Sequence, residues 1–101
     1  MLDVTPEALV AAEAQVTAIT ARMVAANAAH AVACAMILPP GSDAPSVRTA
    51  LCLQGGAGAH QVSAAMGNEE LGRSAIGIGE SSASYAVGDT QLATAFGAVA
   101  V

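Results

Sequence analysis

The sequence has no tryptophan and no lysine, and it has a single tyrosine and a single phenylalanine. With only Arg22, Arg48 and Arg73 set against eight acidic residues, the net charge is −5. A chain with that balance has no basic stripe to neutralise a phosphate backbone, which argues against a nucleic-acid partner. The same balance argues against electrostatic docking on an anionic membrane. Cysteine is scarce too. Cys34 and Cys52 do not make a disulfide framework, and in a hairpin turning near Gly41 they fall at unequal heights, which disfavours a bridge. They read as small buried hydrophobes, and no metal-ligand spacing joins them to His30 or His60. No cofactor or metal is expected. The start, Met1-Leu2-Asp3, lacks the basic segment and apolar run of a cleaved secretory signal.

What the chain has in abundance is alanine. Of its hydrophobic residues, which are 54% of the chain, 26 are alanine. Alanine is the strongest helix former but has little apolar area to bury. Against it stand seven Leu, four Ile, ten Val and four Met. Such a chain is helical by propensity and poorly supplied for a core of its own, so a partner is expected to provide the missing surface.

Thr5-Pro6-Glu7 marks a helix start. Thr5 can cap free backbone N–H groups, Pro6 suits the first helical position, and Glu7 meets the positive end of the helix dipole. No glycine or proline follows until Pro39, so a first helix is predicted over about residues 6–38. Leu9, Ala12, Val16, Ile19, Met23, Ala26, His30, Ala33 and Ile37 alternate by three and four, the rhythm of a helix-packing seam. Glu13, Thr17, Thr20 and Asn27 lie off that seam. The charge-free window from Met23 to Ser42 raises a membrane span, but it contains Asn27 and His30 and ends in Pro39-Pro40-Gly41. Its strongly apolar part, residues 31–38, is too short to cross a bilayer.

Pro39-Pro40-Gly41-Ser42-Asp43 predicts a turn, with Ser42 or Asp43 capping a second helix. That helix is expected over about residues 44–84, antiparallel to the first. Val47, Leu51, Gln54, Gly58, Val62 and Ala65 keep the three/four spacing less cleanly. Gly55, Gly56, Gly58 and Gly67 predict either a bend or close backbone approach. The glycine- and serine-rich stretch from Gly72 places the helix end somewhere between there and residue 84, and residues 90–101 read as a loose tail.

A search for chemistry finds little. His30 on the seam reads as a core or interface histidine and His60 as a surface or interface one. No serine sits in a Gly-x-Ser-x-Gly elbow. Glu69 and Glu70 are adjacent and point to different sides of a helix. Gly77-Ile78-Gly79 neither follows a strand nor opens a βαβ unit. An enzyme is not expected. What remains is Tyr85 and Asp89; if their segment is helical, they sit a turn apart on one face and form an aromatic-plus-carboxylate mark that a receptor could read.

Together these residues resemble the mycobacterial PE family, named for a Pro-Glu pair that here is Pro6-Glu7. The resemblance covers essentially the whole chain. It takes in the alanine-rich first helix, the Pro-Pro break, Glu69-Glu70-Leu71-Gly72-Arg73, Gly77-Ile78-Gly79-Glu80-Ser81, Ala83-Ser84-Tyr85 and Tyr-x-x-x-Asp at Tyr85–Asp89. It implies an all-α fold: an antiparallel two-helix hairpin over residues 1–89 that completes a helical bundle with a PPE protein. Leu9, Val16, Ile19, Met23, His30, Ile37, Val47, Leu51 and Val62 are the expected partner interface. The resemblance further implies export of the pair through a type VII secretion system, with Tyr85 and Asp89 as the signal read by the system's ATPase. A secretion chaperone would hold the pair in the cytoplasm through the PPE partner, and the destination would be the cell surface or the medium. The short form is similar in texture to members of the type VII system linked to iron and zinc supply. An alternative is that the exported pair forms part of an outer-membrane nutrient pore.

Overall fold

The structure is a computed structural model that describes residues 3–99. It is all-α: α1 spans Pro6–Ala35 and α2 spans Ala44–Gly97, two helices packed as a hairpin, with no strand among the described residues. α1 begins where Pro6 places it, with the amides of Ala8 and Leu9 bonding the Thr5 carbonyl at 3.0 and 3.3 Å. It ends three residues earlier than expected, at Ala35, with Met36 in a turn. Pro39 biases Leu38 away from helical backbone angles, so the chain leaves the helix before the proline pair.

Asp43 caps α2. Its Oδ2 accepts the Ser46 backbone N–H at 3.2 Å and its Oδ1 accepts the Ser46 hydroxyl at 2.8 Å. The cap sits tightly against the turn, since a Cβ on Gly41 would meet Asp43 Oδ1 at 2.7 Å. Any side chain at residue 41 therefore pushes on the capping carboxylate.

α2 is 54 residues long and runs well past the expected end near residue 84. The segment read as a loose tail is helical through Gly97; residues 100 and 101 lie outside the described residues. Two local causes are visible. The hydroxyls of Ser81, Thr90 and Thr94 fold back onto the carbonyls of Gly77, Ala86 and Thr90, each at 2.8 Å, so these polar side chains do not compete for the backbone in other conformations. No proline follows Pro45 to stop the helix. Gly55, Gly56, Gly58 and Gly67 neither break α2 nor meet a neighbour; a Cβ at each would face open space.

The face that α2 buries repeats strictly by three and four. Ala50, Gln54, Ala57, Gln61, Ala64, Asn68, Leu71, Ala75, Ile78 and Ser82 are all buried or half-buried, the heptad pattern of a helix seam. On α1 the half-buried positions include Leu9, Ala12, Glu13, Val16, Thr20, Asn27, Ala31 and Cys34, and Ile37 just beyond the helix is half-buried too. Among the described residues only Ala50, Ala75 and Ser82 are buried.

This corrects the expected seams. Glu13, Thr20 and Asn27, expected off the seam, are half-buried, while Ile19, Met23, Ala26, His30 and Ala33 are exposed. His30 is thus no core histidine of the hairpin. On α2 the true seam sits at Ala50, Ala57, Gln61 and Ala64, each one residue before the expected Leu51, Gly58, Val62 and Ala65. A shift of one residue rotates the face by about 100°. Most large apolar side chains mark the outward faces; the inward ones are largely alanine and polar residues, with Leu9, Val16, Leu71 and Ile78 the larger apolar members.

The Asp43 cap carries a pH dependence. The Ser46 hydroxyl, then its backbone N–H, hold the Asp43 carboxyl below its ordinary pKa. A carboxyl depressed in the folded state contributes stability above its unfolded pKa and loses it as pH falls through the folded one. Helicity by far-UV circular dichroism is therefore expected to fall as the pH drops below about 4, and Asp43→Asn is expected to flatten the part of that fall due to the cap. An identical acid titration in the two proteins would refute the role.

Candidate functional site

Two features stand out once the fold is in place: the end of α2 that carries Tyr85 and Asp89, and the outward apolar faces.

Ser82 fixes the first. Its hydroxyl, 5% exposed, donates to the carbonyl of Pro6 at 2.9 Å. Pro6 is the first residue of α1, so α2 beyond Ser82 has passed the end of its companion helix. Residues 83–97 are accordingly all exposed except half-buried Gly88. Tyr85 and Asp89 lie i, i+4 on this overhang, one turn apart on the same face. Tyr85 is 43% exposed, and with Gly77, Glu80, Ser81 and Ser84 it lines a shallow concavity of about 490 Å³. One turn before the Ser82 lock, the Glu13 carboxylate lies against Gly79, where a Cβ would meet it at 2.5 Å. Glu7 is exposed in the first turn of α1.

The second feature is the apolar surface. Within residues 19–70 Ile19, Met23, Val24, Val32, Met36, Leu38, Val47, Leu51, Leu53, Val62 and Met66 are all exposed. Of the expected interface residues, Ile19, Met23, His30, Val47, Leu51 and Val62 are exposed, whereas Leu9, Val16 and Ile37 are half-buried. α1 is also long and apolar enough to cross a membrane by length and composition alone, its apolarity being largely that of alanine.

Beside these faces runs a groove within residues 19–70. One stretch, about 500 Å³, is lined by Val24, Asn27, Ala28, Gln61, Ala65, Asn68 and Glu69. A second, about 310 Å³, shares Gln61 and is walled by Ala31, Cys34, Ala35, Gln54, Ala57 and Gly58. Gln54 is tied down there, its Nε2 donating to the Ile37 carbonyl at 2.8 Å. Nothing in either stretch sets a nucleophile beside a base. Among the described residues no three His, Cys, Asp or Glu side chains gather as a metal site. Cys34 is half-buried, Cys52 is exposed, and both are free thiols.

The sequence put Tyr85 and Asp89 on one face only if their segment were helical, and the expected helix ended before them; α2 in fact runs through both. Sequence reasoning missed Ser82 and Asn68. The signal was present: Gln54, Gln61, Asn68, Ala75 and Ser82 recur every seven residues, but four of the five are polar and so stood outside any apolar pattern.

A PE family model matches residues 2–99. The chain belongs to the PE family. It is 45% identical over 98 residues to the PE family immunomodulator PE5 of Mycobacterium tuberculosis (strain ATCC 25618 / H37Rv), covering 97% of this chain and 96% of that one. It is 46% identical over 95 residues to the PE family immunomodulator PE15 of M. tuberculosis (strain CDC 1551 / Oshkosh), covering 94% and 93% of the two chains. No solved structure matches it significantly. In this PE chain the Pro6 carbonyl is the group that Ser82 holds.

Ser82→Ala removes one buried hydrogen bond, a contribution of about 0.5–1.5 kcal/mol. Amide hydrogen exchange in the first turn of α1 is expected to quicken about two- to ten-fold, with the amides around Ala50 unchanged. Unaltered exchange in that first turn would show that the bond does not secure the helix start.

Proposed function

We propose that this PE chain is a structural partner and secretion substrate: it pairs with a PPE protein, and the pair leaves the cell through a type VII secretion system. The observation that carries the reading is the uncovered apolar surface. The chain exposes 7420 Å², whereas a compact monomer of 9.8 kDa exposes about 5,200 Å². The difference, about 2,200 Å² of polar and apolar surface together, leaves room for an interface, for which roughly 800 Å² per partner is standard, and Ile19, Met23, Val47, Leu51 and Val62 are among its exposed apolar side chains. The interface proposed centres on Ile19, Met23, His30, Val47, Leu51 and Val62, with Leu9, Val16 and Ile37 at the joint between the hairpin and its partner.

Tyr85 and Asp89 serve as this chain's half of the export signal. Their exposure on a helix that has outrun α1 supports that role, since a receptor meets both side chains without moving another element. The secretion ATPase is the proposed reader, and a chaperone gripping the PPE protein keeps the pair export-ready in the cytoplasm. Release at the cell surface or into the medium fits relatives named immunomodulators.

Two outcomes check the reading. Ile19→Asp forfeits roughly 2 kcal/mol of apolar burial and buries a charge besides, so affinity for the PPE partner is expected to fall more than about thirty-fold. An unchanged yield of complex on co-expression would overturn the interface. Tyr85→Ala is expected to leave the heterodimer intact and abolish its appearance in the culture medium. Normal secretion of that variant would overturn the signal.

A further inference from the structure

Arg22 is the one arginine of α1, in a chain without lysine. The residues three and four away from it are Ala18, Ile19, Ala25 and Ala26, so its own helix offers no carboxylate within a turn. Among the described residues no acidic side chain pairs with it. Its neighbours are apolar instead. With Ile19, Met23 and Ala26 it lines a shallow concavity of about 380 Å³, and all four residues are exposed. Their spacing is i, i+3, i+4 and i+7, the four corners of a hole that one side chain of a facing helix fills as a knob. Ile19 and Met23 leave 47% and 43% of their surface in water. The hole is thus apolar on three corners and carries an unpaired guanidinium on the fourth.

We infer that Arg22 is a register-setting contact: the helix of the heterologous partner that covers this face fills the hole with an apolar side chain and presents an Asp or Glu carboxylate to the guanidinium beside it. The inference rests on the PPE pairing proposed above and adds to it the chemistry the partner presents at one place. The shape of the hole calls for a helix, and its charge says what that helix carries. A guanidinium covered by a purely apolar face loses its water and gains no partner, whereas a carboxylate meets its planar fork with two parallel hydrogen bonds. The rest of the chain is acidic, with a net charge of −5, so a surface matched to it elsewhere is neutral or basic. That same charge disfavours an anionic bilayer as the source of the negative group. An acid is called for here alone, and a partner helix slid by a turn takes its carboxylate away from Arg22. One such polar contact fixes an alignment that alanine-rich faces specify weakly.

The test uses the co-expressed heterodimer and compares wild type with Arg22→Met, Arg22→Glu and Arg22→Lys. Methionine keeps an apolar stem and removes the charge; glutamate reverses it. The expected result is a Kd raised about ten-fold by Arg22→Met and further by Arg22→Glu. Arg22→Lys gives the chain its one lysine, so a zero-length carbodiimide cross-link from residue 22 is expected to land on an Asp or Glu of the PPE protein. If Arg22→Met pairs as tightly as wild type or more tightly, the arginine only reaches past the interface into water, and the inference fails while the pairing stands. An intact pair with no cross-link from residue 22 overturns it as well. A cross-link to a second copy of this chain would assign the hole to self-association and overturn it too. Failure of the wild-type chain to bind its PPE partner at all would overturn the pairing and this inference with it.

Discussion

The contact between α1 and α2 is built largely from alanine and polar side chains, with few large apolar ones, and the rest of the molecule follows from that. Alanine lets two helices come close but removes little apolar area from water when they do. The hairpin is held at its two ends by hydrogen bonds, Gln54 to Ile37 at the turn and Ser82 to Pro6 at the open end, each of which is a modest net contribution. Meanwhile leucine, isoleucine, valine and methionine side chains stand outward. A hairpin of this kind leaves much of its apolar surface uncovered by its own two helices.

Much of the fold was legible in the sequence. Pro6 opening α1, the double proline closing it and Asp43 capping α2 are local signals, and local backbone chemistry decided each of them. The extent of α2 was not legible, because serine, threonine and glycine suggest a break to any reading of composition. Here the hydroxyls of Ser81, Thr90 and Thr94 are absorbed by carbonyls one turn back. The seams were right at Leu9, Ala12, Val16, Ile37 and Gln54 and misplaced between, for a more general reason. Periodicity analysis assumes that the largest apolar residues face the nearest helix of the same chain. In this protein Ile19 and Val62 are exposed while Thr20 and Gln61 are half-buried. Any reading that follows hydrophobicity will find the outward face first.

The candidate site was legible to a different degree. The spacing of Tyr85 and Asp89 gives their common face once the segment is helical, whereas their isolation depends on which level of α2 faces the start of α1, which the Ser82–Pro6 bond reveals. The Pro-Glu pair thereby acquires a physical reason for its position. It marks the point where one helix starts and where the other ceases to have company.

That point also has a mechanical meaning. About fifteen residues of α2 follow Ser82 as a lone helix, a length at which an unsupported helix is marginal in water. A tension applied to the C-terminal end would unravel these turns one after another against little resistance. It would meet its first cross-link to the body of the molecule at the Ser82 hydroxyl. Beyond that bond the load passes to the start of α1, so the hairpin would be drawn apart from its open end, with the Gln54 bond beside the Pro-Pro turn the last to part.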